Sequence, residues 1–236
     1  MDTWQRQALL SLSTATITMV LMKRGLRNVW LRGPLTLDPS QPRVVGPAFT
    51  MRFVPGREDL ATPESLSSPR STRFAIEEMP EGCIAVLSSS GIVDAGVLGD
   101  ILCARMAKRG VAGLVTEGAV RDVEAVRKTG LPIWCAGVSA PPSVARLTFV
   151  DWQTPIGCGG VAILPGDIIV ADHDGAVVIP QAIVQTVIDL GREGETLEGW
   201  ILEQVNAGRK LPGLYPPDEA TRAEFQAWQQ RRHSGR

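Results

Sequence analysis

Between residues 83 and 136, short apolar runs alternate with amphipathic stretches, and this alternation restricts the fold more than any other feature of the chain. Residues 83–88 (CIAVLS), 111–116 (VAGLVT) and 132–136 (PIWCA) are apolar runs of strand length. Residues 97–109 and 122–129 space their apolar residues as helices do. The order strand-helix-strand-helix-strand joins parallel strands through right-handed crossovers, which puts helices on the sheet and buries it. The expected class is α/β, a central sheet with helices and further helices at the termini.

The flanks read differently. Residues 44–53 (VVGPAFTMRF) predict a strand interrupted by Gly46 and Pro47. Residues 160–164, 168–171 and 176–179 predict short strands separated by Pro165-Gly166-Asp167 and Asp174-Gly175, which is antiparallel hairpin structure stopped by Pro180. In its turns, Asp167, Asp172, His173 and Asp174 are expected to bond locally to backbone. Residues 181–206 carry Ile183, Val187, Ile188, Leu190, Leu197, Ile201, Leu202 and Val205 at helical spacing, with a bend or break expected at Gly191 and Gly194. Residues 8–22 predict one buried amphipathic helix. Ser11, Ser13, Thr14, Thr16 and Thr18 interrupt it, no basic lead precedes it and Lys23-Arg24 follow, so neither a signal peptide nor a membrane span is expected. Residues 55–73, rich in Pro, Ser, Thr and charge, predict a long surface loop carrying Arg57, Arg70 and Arg73. Residues 1–206 are thus expected to form a single α/β domain with its terminal helices, and 207–236 a peripheral tail.

The formal charge is −1, with no basic block or stripe, so the electrostatic footprint of nucleic-acid binding is missing and a small molecule or a protein is the expected partner. Cys83, Cys103, Cys135 and Cys158 form no CxxC pair and only two histidines accompany them, which argues against zinc. Four reduced thiols in a cytoplasm are expected.

Two stretches place charge where a parallel sheet delivers it to a ligand. In Gly96-Val97-Leu98-Gly99-Asp100-Ile101-Leu102, glycines precede a helix whose first amides lack intrahelical partners and can receive an anion. A plain helix start with Asp100 as its terminal acid fits equally. In Glu117-Gly118-Ala119-Val120-Arg121-Asp122, the closing Arg-Asp pair can be an ordinary helix start. It can also divide two tasks: a hard cation accepts a single carboxylate and keeps its waters, while a guanidinium offers planar donors to a carboxylate or a developing enolate oxygen.

Taken together, GVLGDIL (96–102), RGVAGLVTEGAVRDVEAVRKTGLPIWCAGVS (109–139) and GGVAILPGDIIVADHDGAVVIP (159–180) resemble the 4-hydroxy-4-methyl-2-oxoglutarate aldolase family, which includes proteins named as regulators of ribonuclease E activity. The resemblance implies an α/β fold similar to the swivelling phosphohistidine domain (ββα), assembled as a trimer or hexamer. It implies a metal-dependent aldolase that cleaves a 4-hydroxy-2-oxo acid to pyruvate and a carbonyl product, with oxaloacetate decarboxylation as a side activity. Carried over by position, Gly99, Asp100, Ile101 and Leu102 contact substrate, Arg121 binds the pyruvate end, Asp122 holds Mg²⁺ or Mn²⁺, and Asp100 moves the hydroxyl proton. The regulator members keep the Arg and lack the following acid, so Asp122 favours the enzyme. A non-catalytic regulator that binds a ribonuclease and a lyase for a sugar-derived 2-keto acid are the alternatives. The chain departs from the family's N-terminal Ser-Asp-Ala-Leu type sequence, having Ile17-Thr18-Met19-Val20-Leu21, and its 55–73 segment is longer; both bear on substrate choice.

Overall fold

The computed structural model describes residues 1–234, the side chains of 233 and 234 excepted. The helix that the sequence predicts over 8–22 is two, α1 (Thr3–Leu10) and α2 (Thr14–Lys23). Ser13 restarts the chain as a helix because its hydroxyl accepts the Thr16 amide at 3.0 Å, satisfying a first-turn donor. There follow β1 (Leu35–Thr36), β2 (Val44–Pro55), α3 (Thr72–Glu78), β3 (Ile84–Ser88), α4 (Asp100–Lys108), β4 (Gly113–Val120), α5 (Val123–Lys128) and β5 (Ile133–Val138). Then come β6 (Leu147–Trp152), β7 (Ile156–Cys158), β8 (Val161–Ile163), β9 (Ile168–Asp172), β10 (Gly175–Ile179), α6 (Val184–Asn206) and α7 (Glu219–Ser234).

Strands β3, β4 and β5 pair in parallel, as the βαβαβ pattern requires, and β2 adds in parallel beside β3. Among the described residues the sheet runs β1-β5-β4-β3-β2-β9-β10, with β6 also on β2. Strand β2 is its pivot: Val44–Pro47 pair antiparallel with β9, Ala48–Arg52 parallel with β3, and Met51–Pro55 antiparallel with β6. Gly46 is needed there, because a Cβ would collide with the Gly82 carbonyl.

Strand β3 shows how period-2 alternation feeds two cores. Ala85 and Leu87 pack with Cys103 and Met106 of α4, while Ile84 and Val86 pack with Trp134, Cys158 and Ile163 beneath the β7–β8 hairpin. A third cluster joins α1 and α2 to Val170, Val177 and Val187. Asp172, 7% exposed, acts as a brace between them. Its carboxylate accepts the Thr14 amide and hydroxyl at 2.9 and 2.6 Å and lies 3.3 Å from Arg43 Nε, and its backbone carbonyl accepts Trp134 Nε1 at 2.6 Å. Asp167 and Asp174 likewise bond within their turns.

The chain divides into two compact units, residues 1–188 and 189–236, with the division inside α6. No break occurs at Gly191 or Gly194: α6 runs through both, since glycine lowers helix stability by about 1 kcal/mol without removing a hydrogen bond. Residues 219–234, which composition assigns to a polar tail, are α7. Phe225 and Trp228, at i and i+3, supply its apolar face beside the buried Thr221, whose hydroxyl donates to Gly213 O at 2.8 Å, and Phe225 packs at 5.6 Å on Trp200 within the second unit. No helix among the described residues is long and apolar enough to cross a membrane.

All four cysteines are unpaired and buried. Burial pushes the Cys83 thiol up to about 11 and Cys103 to about 12, and raises Cys135 and Cys158 as well. Because the thiolate is the reactive form, native protein at pH 8 is expected to leave all four untouched by a disulfide reagent and to titrate four after unfolding in guanidinium. Rapid reaction of any one in the native state overturns this.

Candidate functional site

The loops after β3, β4 and β5 converge at the carboxyl ends of the parallel strands, where ligands of open α/β sheets bind. Residues 96–98 run beside the end of β4, where Gly96 forms isolated parallel bridges to Ala119 and Pro142. The Gly96 amide donates to Pro141 O at 2.9 Å, the Val97 amide to Ala119 O at 2.8 Å, and the Arg121 amide to Leu98 O at 3.0 Å. This close approach is what the glycines permit. A Cβ on Gly96 would lie 2.8 Å from the Arg121 Cβ, and one on Gly99 would lie 2.5 Å from Asp122 Oδ2.

The result is an open cavity of about 300 Å³ lined by Gly99, Asp100, Ile101, Leu102, Arg121 and Asp122, so all six residues singled out in the sequence meet there. Gly99 caps α4, and Asp100 turns its Oδ1 onto the Ile101 amide at 2.8 Å, occupying one of the first-turn donors. Ile101 projects outward, 78% exposed, whereas Leu102 packs into the core beneath.

Asp122 is the most telling residue. It occupies the N-cap of α5 in the left-handed region (φ 56°, ψ 38°), a conformation that costs a non-glycine residue roughly 1 kcal/mol. Its side chain makes no capping bond. The carboxylate instead faces Arg121, whose Nε donates to Oδ2 at 3.1 Å, with both side chains partly exposed to the cavity. Strain of this kind persists where the surroundings impose it, and it marks functional positions. The ordinary helix-start reading of the Arg-Asp pair therefore lacks the hydrogen bond that defines it.

A hard divalent cation fits this donor set. Among the described residues no three His, Cys, Asp or Glu side chains converge as a metal cage, so an ion here would take one carboxylate and complete its shell with water and substrate. That is the habit of Mg²⁺ and Mn²⁺ rather than of zinc. Asp122 Oδ1 bonds to no described residue, while the missing Gly99 Cβ gives Oδ2 the room to meet Arg121.

Leu66, Thr72, Arg73, Pro142 and Ser143 complete the walls. The loop after β5 was legible from topology alone, since every parallel strand of such a sheet aims its carboxyl end at this edge. Glu117 carries no such signal. It is 8% exposed, accepts the Ser89 amide at 2.8 Å and the Ser88 hydroxyl at 3.2 Å on Oε1, and takes the Gly159 amide at 3.2 Å on Oε2. It thereby ties β4 to the start of the 89–99 loop and to the β7–β8 turn. His173 lies apart, its ring bonded to Pro39 O at 2.9 Å.

Comparison with known proteins agrees with the fold and the motifs. A family model described as RraA-like, Aldolase/RraA, matches residues 14–178. Protein DlpA of Legionella pneumophila is 32% identical over 185 residues, which cover 78% of this chain and 28% of that protein. A Halalkalibacterium halodurans protein, named provisionally as a 4-hydroxy-4-methyl-2-oxoglutarate aldolase, is 32% identical over 151 residues, 64% of this chain and 66% of that one. The chain thus spans less than two thirds of the length of either relative. Among solved structures, Streptomyces coelicolor RraAS2, described as an unusual member of the RNase ES inhibitor RraA protein family, superposes with a TM-score of 0.77 at 36% identity, covering 85% of this chain and 96% of that one. An uncharacterized Pseudomonas syringae protein gives 0.78 at 27% identity over 91% and 98%.

Proposed function

The chain belongs to the RraA-like family, Aldolase/RraA, and from that membership and the cavity at Arg121 and Asp122 we propose that it is a divalent-metal-dependent lyase. Its substrate is a 4-hydroxy-2-oxo acid such as 4-hydroxy-4-methyl-2-oxoglutarate, cleaved to pyruvate and a carbonyl product. The observation that carries the proposal is Asp122, held in the left-handed region and making no capping bond at the mouth of the cavity.

Asp122 would hold Mg²⁺ or Mn²⁺, which when bound supplies Lewis-acid polarisation of the 2-oxo group. Arg121, with Nε committed to Asp122, keeps its two terminal nitrogens for the adjacent carboxylate and for negative charge developing on the 2-oxo oxygen. The α4 amides beside Gly99 to Leu102 add donors to the same end. Asp100 takes the proton of the 4-hydroxyl as the C3–C4 bond breaks. C4 becomes a carbonyl, the electron pair passes to the pyruvate enolate, and the proton returns to C3. With oxaloacetate the same bond breaks with loss of CO₂, so decarboxylation is a second activity of the site. We place the protein in the cytoplasm as a homotrimer or homohexamer, with no nucleic-acid or membrane partner.

The test is pyruvate release from a panel of 4-hydroxy-2-oxo acids and oxaloacetate, before and after chelation and with Mg²⁺ or Mn²⁺ restored. Metal-dependent release supports the lyase. The 36% identity to RraAS2 favours a second reading, a regulator that binds a ribonuclease, and no release with any substrate or metal would leave that reading standing. Arg121→Lys keeps the charge and loses the planar fork. It is expected to lower kcat/KM at least about 10-fold for aldol cleavage and for oxaloacetate alike. Unchanged kinetics would make Arg121 structural.

A further inference from the structure

We propose that Arg73 reads a second, distal carboxylate of the substrate, so that the site prefers 2-oxo dicarboxylates to 2-oxo acids with a neutral tail. This rests on the lyase reading above. The three arginines of the 55–73 segment have separate fates. Arg57 grips Asp59 through Nε and Nη2 at 3.1 and 2.7 Å, and Arg70 lines a different cavity of only about 30 Å³. Arg73 lines the site itself, in the same wall as Leu66 and Thr72.

Arg73 is exposed at the cavity wall and tethered there by one bond: its Nη1 donates to Leu66 O at 2.8 Å, while Nε and Nη2 bond to no described residue. Helix α3, which carries it, is held to α4 by Glu77, whose carboxylate accepts Arg105 at 2.8 and 2.7 Å and Arg109 at 3.2 Å. These contacts keep the backbone of Arg73 beside the start of α4, and the Leu66 bond lowers the ordering that binding a carboxylate costs.

The charges in the walls agree. Arg73 and Arg121 balance Asp100 and Asp122, so a bound divalent cation leaves two positive charges that a dianion neutralises. A monoanion would satisfy Arg121 and leave Arg73 unmatched. A planar fork with two free donors suits a carboxylate oxygen pair better than a hydroxyl.

The test is titration calorimetry of the Mg²⁺-loaded protein with 2-oxoglutarate and 2-oxopentanoate, five-carbon acids that differ only at the distal carboxylate. The parent protein is expected to bind 2-oxoglutarate at least about 10-fold more tightly. Arg73→Gln should erase that preference by weakening 2-oxoglutarate far more than 2-oxopentanoate. Arg73→Lys should restore part of it, and Arg57→Gln, outside the cavity, should keep all of it. Melting temperatures show that each variant is folded. Equal binding of both acids by the parent, or a preference that survives Arg73→Gln, overturns the role of Arg73 alone. Binding of neither acid by the parent overturns the lyase reading on which it rests.

Discussion

Asp122→Asn is expected to lower metal-dependent pyruvate release at least about 100-fold while leaving the melting temperature unchanged, because several kcal/mol of transition-state stabilisation go with the metal carboxylate. Asparagine is the informative replacement. It matches the side chain in shape and, like Asp, tolerates the left-handed region, so the backbone at φ 56° needs no adjustment. Alanine would confound the result by adding backbone strain. No capping bond is lost, since the carboxylate makes none, and Arg121 Nε can still donate to the amide oxygen. The amide is neutral and a poor ligand for a hard cation, so the change falls on the metal and on the charge balance around Arg121. Turnover within a few-fold of the parent, measured in chelator-treated buffer after Mg²⁺ is restored, would sink the assignment of Asp122.

Glu117→Ala is expected to be the most damaging change to the fold around the site. The carboxylate accepts three backbone amides, those of Ser89 at 2.8 Å, Gly159 at 3.2 Å and Gly91 at 3.4 Å, and truncation strands the buried Ser89 donor and the half-buried Gly159 donor, while exposed Gly91 can turn to water. Each unsatisfied buried donor costs about 1–3 kcal/mol, so a loss of about 2 kcal/mol follows when water reaches Gly91. For a chain of this size that is roughly 4–8 °C in Tm. Glu117→Gln retains one acceptor oxygen but turns an amide donor toward a backbone N–H, so it should recover part of the loss. A denaturant midpoint for Glu117→Ala equal to that of the parent would show that these bonds contribute little.

The same two residues mark the limit of what the sequence makes legible. Arg121-Asp122 and Gly96 to Leu102 stand out because adjacent opposite charges and paired glycines at strand ends are rare enough to notice. Glu117 belongs to the same motif yet has no visible role, because its partners lie 26 to 42 positions away in the chain. Arg73 is legible as one of three loop arginines, and nothing local separates it from Arg57 and Arg70. Helix α3 is hidden for a similar reason: its seven residues are too few for a helical period to emerge from the flanking polar segment. The helix break at Ser11 to Ser13 and the unbroken run through Gly191 and Gly194 are the converse case. There a local cap overrode apolar continuity, and helical hydrogen bonding overrode two weak breakers.

Local chemistry by itself determined the βαβαβ order, the antiparallel β9–β10 hairpin and the grouping of charge at two strand ends. Each of these depends on residues within a few positions of one another, where hydrophobic period, turn residues and helix starts act directly. Tertiary structure decided the rest. It placed β2 as the pivot of a mixed sheet and turned Asp172 into the brace between α2 and β5. It set the two glycines in close packing against Arg121 and Asp122. It also brought Arg73, and neither Arg57 nor Arg70, into the cavity wall. These outcomes depend on which distant segments come within hydrogen-bond reach, and that distance is fixed only when the sheet closes its register and the helices pack upon it.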